Sequence, residues 1–288
     1  MTPAPKTQFV LTLSCMDRRG IVAFVASFLA EHKCTIRDSQ QFGDEDTGRF
    51  FMRVQFASED GALEPESLRE QFAPVAEEFG LDWSLHDIAT RHRLLVMVSK
   101  QGHCLNDLLY RARTGTLPAE ITAVVSNHED LRSLVEWHDI AFHHVPVEAG
   151  SKELAEDSVR DLIGHYASDT VVLARYMQVL TDSMCKELEG RAINIHHSLL
   201  PSFKGARPYF QAHSRGVKVV GATAHYVTAE LDEGPIIEQD FTKVDHRHSA
   251  QDLTALGRDL EARALARAVS AHAEHRVLLN GDKTVVFD

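Results

Sequence analysis

Over the first ninety residues the spacing of apolar positions alternates between strand-like and helical. Residues 8–14 read as a strand, and Asp17-Arg18-Arg19-Gly20 breaks it before a helical pattern through Ile21, Val22, Val25, Phe28 and Leu29. Two more strands fit residues 34–41 and 49–57, the second alternating Phe51, Val54 and Phe56 imperfectly around Met52 and Arg53. A helix over 65–79 and a last strand over 82–88 complete the order βαββαβ, a ferredoxin-like arrangement assigned to residues 1–89.

A different rhythm begins at His92 and is assigned to a second domain, residues 90–288. Leu94 to Val98 is an unbroken apolar run, the pattern of a strand buried on both faces of a parallel sheet. A helix through Leu105, Leu108 and Leu109 follows. Strands at 121–126, 141–145 and 170–174 alternate with helices at 130–138 and 152–166, which implies an α/β, doubly wound and mostly parallel sheet. Residues 194–207 read as irregular; strands at 221–227 and 236–241, a long helix at 249–272 and a tail strand at 284–287 close the chain. Ligands of such sheets bind outside the carboxyl ends of the strands, which directs attention to the loops near Met177, Asn194 and Asp232.

Composition narrows the picture. With 288 residues, 44% of them hydrophobic and 25% charged, the chain is an ordinary globular protein long enough for two cores. A net charge of −12 argues against nucleic acid or an anionic membrane as partner, though one or two local cations could still hold a small anion. Cys15, Cys34, Cys104 and Cys185 are scattered, with no zinc or disulfide spacing, and no signal peptide or run of ~20 apolar residues is visible. The expected location is the cytoplasm.

Two polar constellations could carry chemistry. In INIHHSLLPSFKGARPY, Asn194 and His196 lie two apart and share a face if the segment is extended. An amide that stabilises an oxyanion beside an imidazole that moves a proton suits acyl transfer, although satisfied loop residues give the same pattern. In ATAHYVTAELDEGPIIEQD, His225 ends a strand and Asp232 lies in a turn marked by Asp-Glu-Gly-Pro. That carboxylate could pair with His196 and orient water, or simply form the turn.

Together the strings NIHHSLLPSFKGARPY and GATAHYVTAELDEGPII resemble the formyltransferase-fold family, and within it the formyltetrahydrofolate deformylases, which carry an N-terminal ACT domain as residues 1–89 suggest. The resemblance implies hydrolysis of 10-formyltetrahydrofolate to tetrahydrofolate and formate, a link to purine synthesis, and no cofactor. It implies a catalytic trio of Asn194, His196 and Asp232, with Asp232 positioning or activating water and the other two stabilising the tetrahedral intermediate. It places Met177, Val179, Leu180, His225 and Val227 around the folate, with Gln178 where many relatives carry Arg. Asp17, Arg18 and Gly20 resemble the ACT loop that enters the first helix, where free N–H groups could bind an amino-acid effector; pairing of sheets into a homo-oligomer is the other reading of that domain.

Departures sharpen the choice of acceptor. Gly102-His103-Cys104-Leu105-Asn106 replaces the Gly-Ser-Asn phosphate cradle of the amine-acceptor branch, and His197 stands where that branch has proline. Water is therefore the expected acceptor, with formyl transfer to an amine or sugar nucleotide as the competing enzyme and an inactive, effector-binding protein as the non-enzymatic alternative. No metal is expected: the pairs His143-His144, His196-His197 and His246/His248 match no HExxH or zinc pattern.

Overall fold

The structure is a computed structural model that describes residues 7–58, 64–148, 150–201 and 208–288. The chain divides into two compact units: residues 1–91 with 275–280 and 285–288, and residues 92–274 with 281–284.

The first unit contains β1 (Gln8–Met16), α1 (Ile21–Glu31), β2 (Cys34–Asp44), β3 (Arg49–Ser58), α2 (Pro65–Phe79) and β4 (Asp82–Asp87). Its sheet runs β2-β3-β1-β4, with every pairing antiparallel. Pro65 starts α2, where a missing N–H costs nothing, and left-handed Gly80 ends it at φ 60°. Phe50, Met52, Val54 and Phe56 of β3 pack with Ile21, Val25 and Phe28 of α1 and Leu68 and Phe72 of α2. The strand's inward set is thus offset from the Phe51-centred reading. The cause is burial on both faces: Phe51 is fully buried on the other face, as is Arg53. There Arg53 Nε donates to the His275 carbonyl at 3.2 Å and pairs with Asp38 at 3.3 Å, while the His86 ring stacks on His275 at 3.5 Å.

The second unit contains β5 (His92–Val98), α3 (His103–Thr114), β6 (Ala119–Ser126), α4 (Arg132–Glu136), β7 (Ala141–His144), α5 (Lys152–His165), β8 (Thr170–Leu173), α6 (Asp182–Glu187), β9 (Ala192–His196), α7 (Pro208–Arg215), β10 (Val219–Tyr226), β11 (Ile236–Lys243) and α8 (Ala250–Ala273). After α8 come β12 (Val277–Asn280) and β13 (Lys283–Val286), a small sheet of their own. The large sheet runs β11-β10-β9-β8-β5-β6-β7. Strands β5 to β9 pair in parallel, and β10 and β11 extend the sheet antiparallel. From central β5 the chain winds outward to β6 and β7, then returns to β8 on the other side, so the strand order reverses between β5 and β8. Leu94 to Val98 are wholly buried, as their unbroken apolar run requires.

Asn194 and His196 lie on strand β9 rather than in an irregular stretch. The segment pairs with β8 on one side and β10 on the other, which supplies the ladder that its mixed polar sequence does not announce. Helices α6 and α7 are too short and too polar to register as periodic, and residues 202–207, the end of the motif that follows β9, lie outside the described ones. Ser249 and Asp252 form a reciprocal capping box that fixes the start of α8.

Candidate active site

On β9, Asn194 and His196 project to one face while Ile193 and Ile195 bury the other. The antiparallel register with β10 sets His225 opposite Asn194 and Thr223 opposite His196. A bulge between Ala224 and His225 shifts the register with β11, and the connecting loop folds back. Gly234 allows that return, because a Cβ there would stand 1.8 Å from the Tyr226 carbonyl oxygen. Two residues earlier Asp232 adopts a left-handed conformation, φ 59°, an arrangement that Asp tolerates better than most residues. The carboxylate arrives beneath His196, with Oδ1 3.1 Å from Nδ1. Three side chains from two distant stretches of sequence therefore meet.

The hydrogen bonds fix their chemical states. His225 Nδ1 lies 2.8 Å from the Tyr226 carbonyl, which can only accept, so Nδ1 carries the proton. Burial holds the His225 pKa below the ordinary histidine value and outweighs the opposing effects of that carbonyl and of Asp232. The neutral ring presents a lone pair at Nε2, and Asn194 Nδ2 donates to it at 3.2 Å. This bond fixes the rotation of the Asn194 amide and leaves its second N–H for a ligand. His196 donates from Nδ1 to Asp232, and its Nε2 lies 3.0 Å from Ser198 Oγ. The hydrogen bond from His196 holds the Asp232 carboxyl below the usual carboxylate range, against the opposing effect of partial burial. Thr223 Oγ donates to the Ser198 carbonyl and accepts from Leu200 N, which pins the chain beyond His196.

Asn194, His196, His225 and Asp232 line a cavity of about 240 Å³ at the carboxyl ends of β8 and β9, beside the reversal in strand order where an open α/β sheet offers a crevice. Of the residues that sequence placed around a folate, Met177, Val179, Leu180, His225 and Val227 all line it. Met177 and Val179 are exposed apolar side chains, whereas Leu180 also belongs to the core beneath. Met177 N is held by Ser99 Oγ at 2.9 Å, so the loop after β8 is tied to the end of β5.

Sequence reasoning missed Arg175, Tyr176 and Leu231, which also line the cavity, and gave His197 no part in it. Arg175 has φ 67°, a strained choice for a non-glycine residue that no local pattern announces. Among the described residues, His103, Cys104 and Glu261 could bring metal-ligating atoms within 4.8 Å of one another. His103 Nε2 and Glu261 Oε2 are already bonded at 2.7 Å, and the Arg175 guanidinium stands 3.4 Å from the same oxygen, a poor neighbour for a cation. Of the other histidines named from the sequence, His143 bonds Tyr166, His144 pairs with Glu129, and His248 pairs with Asp245. Asp17, Arg18 and Gly20 lie in the first unit on an exposed loop, where Gly20 takes φ 101° to start α1. Arg18 is committed there to the end of α2, donating to the Glu78 carbonyl at 2.9 Å and covering the Phe79 ring.

Residues 92–269 match the formyl transferase family and residues 7–86 the ACT domain family. The class is thereby a formyltransferase-fold domain joined to an ACT domain. The chain is 52% identical to the formyltetrahydrofolate deformylase of Corynebacterium sp. (strain P-1), over 98% of this chain and 99% of that one. It is 47% identical to the deformylase of Bacillus subtilis, over 96% and 93%. The crystal structure of a formyltetrahydrofolate deformylase from Pseudomonas syringae pv. tomato superposes with a TM-score of 0.96 at 49% identity, over 100% of this chain and 96% of that one. This chain belongs to the formyltetrahydrofolate deformylase family.

Proposed function

We propose that the protein hydrolyses 10-formyltetrahydrofolate to tetrahydrofolate and formate. The observation that carries this reading is the convergence of Asn194, His196 and Asp232 on one cavity. Water held near Asp232 attacks the formyl carbon and gives up a proton to the Asp232–His196 pair. The oxyanion that forms is met by the second N–H of Asn194, fixed before reaction and therefore effective, and by the His196 ring once it carries the proton taken from water. Collapse breaks the bond between carbon and N10, N10 takes the proton, and formate leaves. Atoms and electrons balance with water alone, so the step requires no cofactor. Met177, Val179, Leu180 and Val227 supply the apolar walls for the pterin.

Incubating the protein with 10-formyltetrahydrofolate and measuring formate tests the proposal. Formate must appear without any added amine; turnover only in the presence of an amine acceptor would assign formyl transfer instead. Asn194→Ala removes one oxyanion donor and is expected to lower kcat by about 10²-fold. A stopped assay at saturating folate checks it.

The reading extends to three further points. The reaction is assigned to the cytosol, in keeping with the absence, among the described residues, of any helix long and apolar enough to cross a membrane. The formate is assigned to purine synthesis. The ACT domain is assigned a role in homo-oligomerisation and in response to an amino acid at the loop of Asp17, Arg18 and Gly20. Turnover measured with and without methionine and glycine tests the last point, and equal rates would remove it for those two ligands.

A further inference from the structure

Between β8 and α6 the chain runs through residues 174–181 without regular structure, yet this loop forms much of the cavity wall. Met177 and Val179 line the cavity with apolar side chains that are 58% and 54% exposed, and Tyr176 and Leu180 line it beside them. Holding apolar groups open to water costs free energy. A loop without a hydrogen-bonded ladder of its own needs anchors from elsewhere in the fold to hold them there.

The anchors are three buried polar residues, none of which lines the cavity itself. Ser99, just beyond β5, takes the near end of the loop. Its N donates to the Arg175 carbonyl at 3.2 Å, and its Oγ accepts from Met177 N at 2.9 Å. The same Oγ donates to Asn127 Oδ1 at 2.7 Å, which fixes the direction of the hydroxyl. Glu156 of α5 takes the far end: Oε1 accepts from Thr181 N at 2.7 Å, and Oε2 accepts from the Thr181 hydroxyl. Thr181 Oγ in turn accepts from Met184 N at 3.2 Å and caps α6. Burial first, and then the Glu156 charge, push the Tyr176 hydroxyl up to about 12, so this residue of the loop stays neutral. Carboxylates are rarely buried unless their oxygens are bonded, and here both oxygens are committed to one loop residue.

We propose that Ser99, Asn127 and Glu156 are positioning residues for folate recognition, bracketing residues 177–181 so that Met177 and Val179 stand ready for the pterin before it arrives. The proposal deepens the hydrolase reading and rests on it for the identity of the ligand. The ordering of the loop is completed in folding, so binding does not bear its entropic cost. Asn194, His196 and Asp232 are held by one another and by His225, without help from these anchors. Loss of an anchor therefore falls on folate affinity and leaves the chemical step nearly untouched.

Steady-state kinetics with 10-formyltetrahydrofolate, together with calorimetric titration of tetrahydrofolate into the full-length protein, test the proposal. Ser99→Ala and Glu156→Ala are each expected to raise KM and to weaken tetrahydrofolate binding by about tenfold, with kcat per folded protein changed less than about threefold. Glu156→Gln keeps an acceptor for Thr181 N and is expected to recover most of the lost affinity. A merely structural role would lower the thermal melt and the amount of active protein and leave KM where it was. Unchanged KM and unchanged tetrahydrofolate binding in the folded variants therefore overturn the proposal. If Glu156→Ala does not fold, Ser99→Ala and Glu156→Gln carry the test with the same criterion. Weaker tetrahydrofolate binding by the variants of a protein that releases no formate would refute the hydrolase reading and support the anchors. Equal binding by the variants of a protein that does release formate would remove the anchors alone.

Discussion

Asp232→Asn is expected to lower kcat by about 10³-fold while KM for 10-formyltetrahydrofolate changes less than about threefold. The substitution is nearly isosteric, so the left-handed turn survives, and Asn is among the residues best suited to φ 59°. What is lost is the negative charge 3.1 Å from His196 Nδ1, which orients the ring and stabilises any positive charge it gains as water is deprotonated. That interaction strengthens in the transition state, so its removal appears in kcat rather than in substrate binding. Steady-state kinetics over a range of folate concentrations check both numbers. Acid unfolding gives a second readout. Because the folded pKa of Asp232 is depressed, its carboxylate stabilises the fold above the ordinary value near 3.8 and loses that contribution as pH falls through the lower folded value. The variant should therefore unfold less steeply over that acidic window.

Gly234→Ala is expected to be the most damaging single change in the loop. Its new Cβ would sit 1.8 Å from the Tyr226 carbonyl oxygen and 3.3 Å from His225 Nδ1. The same carbonyl accepts the proton of His225 Nδ1, so the clash falls on the bond that keeps His225 in the tautomer Asn194 needs. Neither obstacle is the free end of a flexible side chain; the hairpin must open, carrying Asp232 away from His196. A loss of about 3 kcal/mol of stability is expected, together with a fall in kcat/KM of at least about 10²-fold. Urea denaturation and kinetics on the surviving folded protein measure the two effects separately.

Much of this was legible in the sequence because the fold depends on period and burial. The Leu94–Val98 run announces a strand covered on both faces, and that is the position β5 takes at the centre of the sheet. The βαββαβ order of the first unit follows from alternating periods and from Pro65 and Gly80 at the ends of α2. The resemblance carried by NIHHS and ELDEGPI named the trio, but its convergence depends on a strand register and a bulge that no local pattern encodes. For the same reason β9 read as irregular: its polar residues face a cavity rather than solvent or core. Arg175 was invisible because its importance lies in a backbone angle and in a carboxylate 86 residues further along the chain, on α8.

The first unit is discontinuous along the chain, since Arg53 and His86 are satisfied by His275, Asp44 by Asn280, and Gln40 by Asp288. During synthesis this unit cannot be completed until residues 275–288 have emerged, although its strands emerge first. A fragment ending at Arg91 would leave a guanidinium and an imidazole on an uncovered sheet face, whereas the segment corresponding to the formyl transferase match is contiguous. A cell translating this protein would therefore hold an unfinished amino-terminal layer until that returning segment has left the ribosome.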